Sequence, residues 1–204
     1  MLPQRGYFFR FFIFSAISLA LILEAGCSYG RDENKISPIL KKANYYLDEI
    51  CYDSAASYYS RFLSMDNYID EKTRFNVINN YVTCLLRIEE YDQARALTLE
   101  NISNIICSID NVQMELAVAY KNMGIFCFLT GLSGNADAYF TKALDITNRI
   151  SGMDSPQSAD IYEWLGVYHN GFSDSVSARK FLWRAMRIRA ANNVENIVIG
   201  INAK

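Results

Sequence analysis

Side chains able to do covalent or metal chemistry are few in this chain, and they are scattered. Beyond Cys27 the cysteines are Cys51, Cys84, Cys107 and Cys127, at spacings of 33, 23 and 20 residues. Zinc and redox pairs sit roughly two to four residues apart, so these spacings match neither. Cys84 and Cys127 fall inside apolar helical stretches, where a free thiol packs as a small hydrophobe, with disulfides as the lesser alternative. The single histidine, His169, lies in "WLGVYHNGF" at a core-facing position, with no serine or cysteine nucleophile pattern beside it. Carboxylate pairs occur in "RIEEYD" and "YLDEICYD", at helix ends, where such groups solvate the surface. No nucleophile, base and orienting group converge, so the chain reads as a non-enzyme that needs no metal or cofactor.

Charge narrows the remaining classes. Twenty Lys and Arg stand against twenty-two Asp and Glu, a net charge of −2, which leaves no broad cationic surface for a phosphate backbone. Nucleic acid is therefore not an expected partner. Across 204 residues about half are apolar and a fifth charged, the balance of a folded protein with one sizeable core.

The first residues belong to a different problem. Arg5 and Arg10 precede the apolar run "FFIFSAISLALIL" at 11–23, thirteen residues long and so in the range of a signal-peptide core rather than a membrane span. The run is followed by "LEAGCS". Ala25, Gly26 and Cys27 resemble the end of a bacterial lipoprotein signal, in which the cysteine is lipidated and becomes the new N-terminus. Glu24 departs from that pattern, which has an apolar residue at this place. Three fates stay open for the run: lipidation at Cys27, ordinary cleavage, or retention as an anchor. Each takes the protein out of the cytoplasm. The expected organisation is a leader at 1–26, a short linker at 27–35, a helical domain at 36–190 and a tail at 191–204.

Within the helical domain one register is used repeatedly. Ala55, Ala94, Ala136 and Ala178 each follow a turn, at intervals of 39, 42 and 42 residues. Twelve residues before each stands another small or modest side chain: Ala43, Val82, Gly124 and Gly166. Each unit is thus two amphipathic helices joined by a short turn. Glycine inside a helix costs about 1 kcal/mol relative to alanine, so Gly124 and Gly166 imply close helix crossing, with Phe140 and Leu182 filling the gap.

The segments "YKNMGIFCFLTGLSGNADAYFTKALDI" and "YEWLGVYHNGFSDSVSARKFLWRAMRI" resemble the tetratricopeptide repeat (TPR) family. The signature places fall on Tyr120, Met123, Gly124, Ala136, Phe140 and Ala143, and again on Tyr162, Leu165, Gly166, Ala178, Leu182 and Ala185. Two earlier units match at fewer positions, among them Tyr81, Tyr91 and Ala94, and Ala43, Tyr52, Ala55, Tyr59 and Phe62. The resemblance implies an all-α fold, an α-solenoid of about four units, that acts as a protein- or peptide-binding scaffold. Together with the leader it implies a membrane-anchored lipoprotein of the bacterial cell envelope. The same layout is similar to the sensor part of membrane-tethered TPR regulators, and a reading frame continuing past Lys204 would favour that alternative.

On the family pattern the first helices of successive units line a concave face. It would present Asn76, Asn79, Asn80 and Thr83, then Val118, Lys121, Asn122, Ile125 and Phe128, then Asp160, Glu163, Val167 and Asn170, with the amides in a solvated groove. Asn76, Asn79, Asn80, Thr83, Lys121, Asn122, Phe128 and Glu163 are the expected partner-binding residues, the alternative being amides that only solvate the groove. TPR domains that clamp a terminal carboxylate use basic residues where this chain has Leu40 and Val118, so that activity is not implied.

Helix boundaries are marked by Ser155 before Pro156, by Asp110, and by Gly131 and Gly134 around the third turn, where a left-handed cap favours glycine. After the last unit only a short apolar segment, 194–201, follows where TPR arrays usually add a polar capping helix. Self-association through that uncapped edge is the expected consequence.

Overall fold

The chain divides at Ser37. The computed structural model describes residues 37–65, 69–109 and 111–202, the last ten as backbone alone. Cys27, the leader and the linker lie outside the described residues, as does the cap expected at Asp110. No described helix is long and apolar enough to cross a membrane.

Eight α-helices and no strand occur among the described residues: α1 (Pro38–Asp48), α2 (Tyr52–Ser64), α3 (Glu71–Arg87), α4 (Tyr91–Cys107), α5 (Gln113–Leu129), α6 (Ala136–Ser151), α7 (Pro156–Gly171) and α8 (Ser175–Asn202). They pack consecutively as the hairpins α1–α2, α3–α4, α5–α6 and α7–α8, and each second helix also packs on the first helix of the next hairpin. The first helices touch one another as well, α3 against α5 more extensively than α5 against α7. A single apolar core runs from Leu40 to Ile188 through this stack. A smaller cluster of Phe75, Ile105, Val112 and Ala119 closes one end of α3, α4 and α5.

The small-residue frame is the seam of the stack. Ala55, Ala94, Ala136 and Ala178 are all buried, as are Ala43, Val82, Gly124 and Gly166. A Cβ on Gly124 would lie 2.8 Å from two ring carbons of Phe140, and one on Gly166 would lie 2.5 Å from Cγ of Leu182. The two glycines are therefore explained by contact, as the spacing predicts.

Turn geometry repeats even more strictly than turn sequence. Ile50, Glu89, Gly131 and Ser173 all have positive φ (59°, 64°, 77° and 60°), and each stands five residues before its alanine. In three turns the following amide donates back five residues: Cys51 N to Tyr46 O at 2.9 Å, Glu90 N to Leu85 O at 2.9 Å and Asp174 N to His169 O at 3.0 Å. This closure satisfies carbonyls left open at the end of the first helix. Gly131 takes the left-handed place expected of it. Gly134 does not; it lies in a single 3-10 turn, Ser133–Asn135. Gly171 is not left-handed either, and is needed because a Cβ there would come within 2.9 Å of the Phe128 ring.

Helix starts use three side-chain caps. Asp70 accepts from Thr73 N at 2.8 Å, Ser155 from Ser158 N at 3.2 Å with Pro156 in the first turn, and Asp174 from Ser177 N at 3.1 Å. At its other end α8 runs on to Asn202, so residues 191–202 lie within the second helix of the last unit.

Candidate functional site

The face predicted to bind a partner is built from α3, α5 and α7, and the structure divides its residues into two groups. Asn79 and Asn122 are not presented to solvent: they are 2% and 0% exposed. Asn79 sits at the centre of a three-helix polar knot. Its Nδ2 donates to the Glu115 carbonyl at 2.9 Å, its Oδ1 accepts from Asn101 Nδ2 at 3.0 Å, and its main-chain carbonyl accepts from Asn122 Nδ2 at 3.0 Å. Thr83 donates to that same carbonyl at 3.0 Å and, more weakly, to Asn122 Oδ1 at 3.4 Å. Asn76, although exposed, reaches Oε1 of the buried Glu115 at 3.1 Å.

The solvated groove expected at Asn79 and Asn122 is thus corrected to an internal seam. The physical reason is helix spacing: α5 lies close against both α3 and α4, so an amide on the flank of α3 finds protein partners before it finds water. Ile125 is likewise buried. Glu115 and Asn101, which the sequence did not single out, are the other members of the knot. Their only signal was a polar residue at an inward position of its helix.

The second group remains accessible. Asn76 and Val167 are exposed, as is Asn170; Asn80, Thr83, Val118, Lys121, Phe128, Asp160 and Glu163 are half-buried. Several are held in place by neighbours. Lys121 Nζ pairs with Asp160 at 2.5 Å between α5 and α7, and Glu163 takes the Arg189 guanidinium of α8. Phe128 packs edge-on against Tyr168, ring centroids 6.0 Å apart. The face therefore presents amides, aliphatic side chains and tethered ions across three consecutive first helices.

Potentially reactive groups are placed for packing. Cys84 and Cys127 are buried, and burial pushes the Cys84 thiol up to about 12 and the Cys127 thiol up as well, which suppresses the nucleophilic thiolate. Cys51 and Cys107 are exposed and free. His169 is half-buried rather than fully in the core; it stacks on Phe181 with centroids 5.3 Å apart, and its Nδ1 is 3.3 Å from Asp174. Tyr59 is buried and donates to Asn44 at 2.7 Å, with burial pushing its phenol up to about 12. Of the paired tyrosines, Tyr46 stacks on Tyr58 while Tyr45 is exposed. No three His, Cys, Asp or Glu side chains come together as a metal set among the described residues.

No family model and no curated protein matches the chain. Solved structures do. BtubC (BKLC) from P. vanneervenii is similar at a TM-score of 0.55 and 20% identity, over 73% of this chain; the match spans 60% of the length of BtubC. MamA is similar at a TM-score of 0.50 and 17% identity, over 85% of this chain and 86% of MamA. Both are TPR-like helical-repeat proteins. The fold is an α-solenoid of helical repeats. At these identities the likeness concerns the path of the chain and not what it binds.

Proposed function

We propose that this α-solenoid is a protein- or peptide-binding scaffold of the bacterial cell envelope, held at the membrane by lipid on Cys27. The observation that carries the binding reading is the accessible row on the first helices, from Asn76 and Asn80 through Val118 and Lys121 to Glu163 and Val167. It crosses three units on one rigid stack. Such a row offers an extended segment alternating hydrogen-bond and apolar contacts at low ordering cost, because the ion pairs Lys121–Asp160 and Glu163–Arg189 already fix the long side chains. The likeness to TPR-like structures supports the scaffold reading at the level of fold.

The anchor rests on sequence: "AGC" follows a thirteen-residue apolar run with Arg5 and Arg10 before it. Position-specific photo-crosslinking in cells tests the binding face. A benzophenone side chain at Asn80 or Val167 is expected to give discrete adducts, and the same group at Glu100 or Thr141, on exposed positions of second helices, is not. Equal adducts from both sets would overturn the first-helix reading. For the anchor, a clickable fatty acid should label the wild type and not Cys27→Ala; equal labelling removes the lipid.

A further inference from the structure

The outer face of α8 differs from that of every earlier second helix. α2, α4 and α6 are each covered by the first helix of the next unit, whereas among the described residues α8 packs on α7 alone. Shifting by the 42-residue period makes the contrast explicit. Phe140 is 0% exposed beneath the Tyr168 ring of α7, while its counterpart Leu182 is 42% exposed. Leu144 packs on the core, while its counterpart Met186 is 62% exposed. Trp183, 56% exposed, rims the same strip and lines a shallow depression with Leu182, Met186 and Arg179. A second depression continues along Met186 and Arg189 towards Glu163.

The charge of α8 is one-sided, and of its cations Arg179 and Arg189 border the two depressions while Arg184 lies over the Tyr162 ring of α7. From Ser175 to Asn192, α8 carries five cations (Arg179, Lys180, Arg184, Arg187 and Arg189) and no carboxylate. Asp154 lies 3.7 Å from Arg184 and 3.9 Å from Arg187, and Glu163 pairs with Arg189. Arg179 and Lys180 have no carboxylate partner among the described residues. A second copy added head to tail would bring α1, which exposes Lys41 and Lys42 with Asp48 only at its far end, so the charges of the two ends do not complement each other.

We propose that the outer face of α8 docks an acidic amphipathic helix of a partner protein, seated where the next unit's first helix sits on α2, α4 and α6. Its apolar stripe packs on Leu182 and Met186 beside Trp183, and carboxylates on its flanks meet Arg179 and Arg189. Exposed Trp and Arg around an apolar centre are the residue types that dominate binding at such helix-in-groove contacts. This site meets the first-helix row at the Glu163–Arg189 pair but does not depend on that row binding a partner.

The test uses the full chain in phosphatidylcholine nanodiscs and two fluorescent amphipathic peptides of about four turns, with one leucine-rich face flanked by glutamates or by lysines. Anisotropy should show the glutamate peptide binding at least about tenfold tighter than the lysine peptide, with affinity falling as salt rises. Trp183→Ala with Met186→Glu should weaken it about tenfold or more. Arg179→Glu, a change at an exposed side chain checked for helix content by circular dichroism, should weaken the glutamate peptide and strengthen the lysine peptide. Equal binding of the two peptides, or indifference to Arg179→Glu, overturns the proposal. So does self-association that Met186→Glu dissolves while neither peptide binds, which assigns the face to a second copy. Retention on phosphatidylserine vesicles without peptide binding overturns it in favour of a membrane surface.

Discussion

Gly124 and Phe140 meet so closely that a single methyl group on the glycine would lie 2.8 Å from the ring, and the ring has nowhere to go because α7 encloses it on the other side. At the equivalent pair, Gly166 and Leu182, the leucine side chain borders solvent.

These two sites should respond differently to the same change. Gly124→Ala gains about 1 kcal/mol of helix propensity but overpacks an enclosed ring at about 1 to 3 kcal/mol, so a net loss of about 1 kcal/mol is expected. Gly166→Ala should be closer to neutral, since Leu182 can swing outward. Urea unfolding of both variants, with helix content as the signal, checks the order.

Ile50 holds a left-handed backbone with a β-branched side chain that is largely exposed. That conformation costs an L-residue about 1 to 2 kcal/mol, so Ile50→Gly should raise stability by about 1 kcal/mol after the entropy of a more flexible unfolded chain is deducted. Gly131→Ala, at the same register, should lower it by a similar amount. A shift of the denaturation midpoint without a change of slope is the expected readout.

Removing Asn79 strands several buried partners at once. Asn79→Ala leaves the Asn101 amide without its 3.0 Å acceptor and the Glu115 carbonyl without a side-chain donor. A loss of about 2 to 3 kcal/mol is expected, against less than about 1 kcal/mol for Asn76→Ala at the exposed rim of the knot. Thermal unfolding of the two variants beside the wild type decides this.

The cap of α3 makes stability depend on acid. Hydrogen bonding by the Thr73 side chain and amide holds the Asp70 carboxyl below the usual carboxylate range. A lowered folded pKa means the contribution is complete above the unfolded value near about 4 and is lost as pH falls through the folded one. Asp70→Ala should therefore cost about 1 kcal/mol at pH 7, and its unfolding curve should converge on that of the wild type as the pH falls below the folded value of Asp70. Asp174, lowered chiefly by Ser177, works in the same sense at the start of α8.

The repeat frame was legible because small residues at a fixed interval encode close approach directly. Ala136, Gly124 and Phe140 needed no knowledge of the neighbouring unit to be assigned to a seam. Asn79 and Asn122 did need it: a residue on the flank of a first helix is wet or dry according to how near the next hairpin leans, and nothing local to α3 specifies that distance. The turns show another limit. Ile50, Glu89 and Ser173 share a backbone conformation with Gly131 but no side-chain chemistry, so only their common offset from the alanines carries the information. The open face of α8 was hidden for a related reason. Leu182 reads as a buried partner of Gly166, and its exposure depends on what stands on its other side.

An apolar seam between parallel rows of helices is tolerant of slippage, since one leucine-sized bump replaces another when a helix slides by a turn. The knot around Asn79 is not tolerant. A shift of one turn between α3 and α5 would take the buried amides of Asn79 and Asn122 and the buried Glu115 carboxylate away from these partners, at a cost far above the loss of any apolar contact. The middle of the array thus has a locked index mark, from which the positions of Asn76, Lys121 and Glu163 along the accessible row are measured. A ruler of this kind keeps its divisions under load.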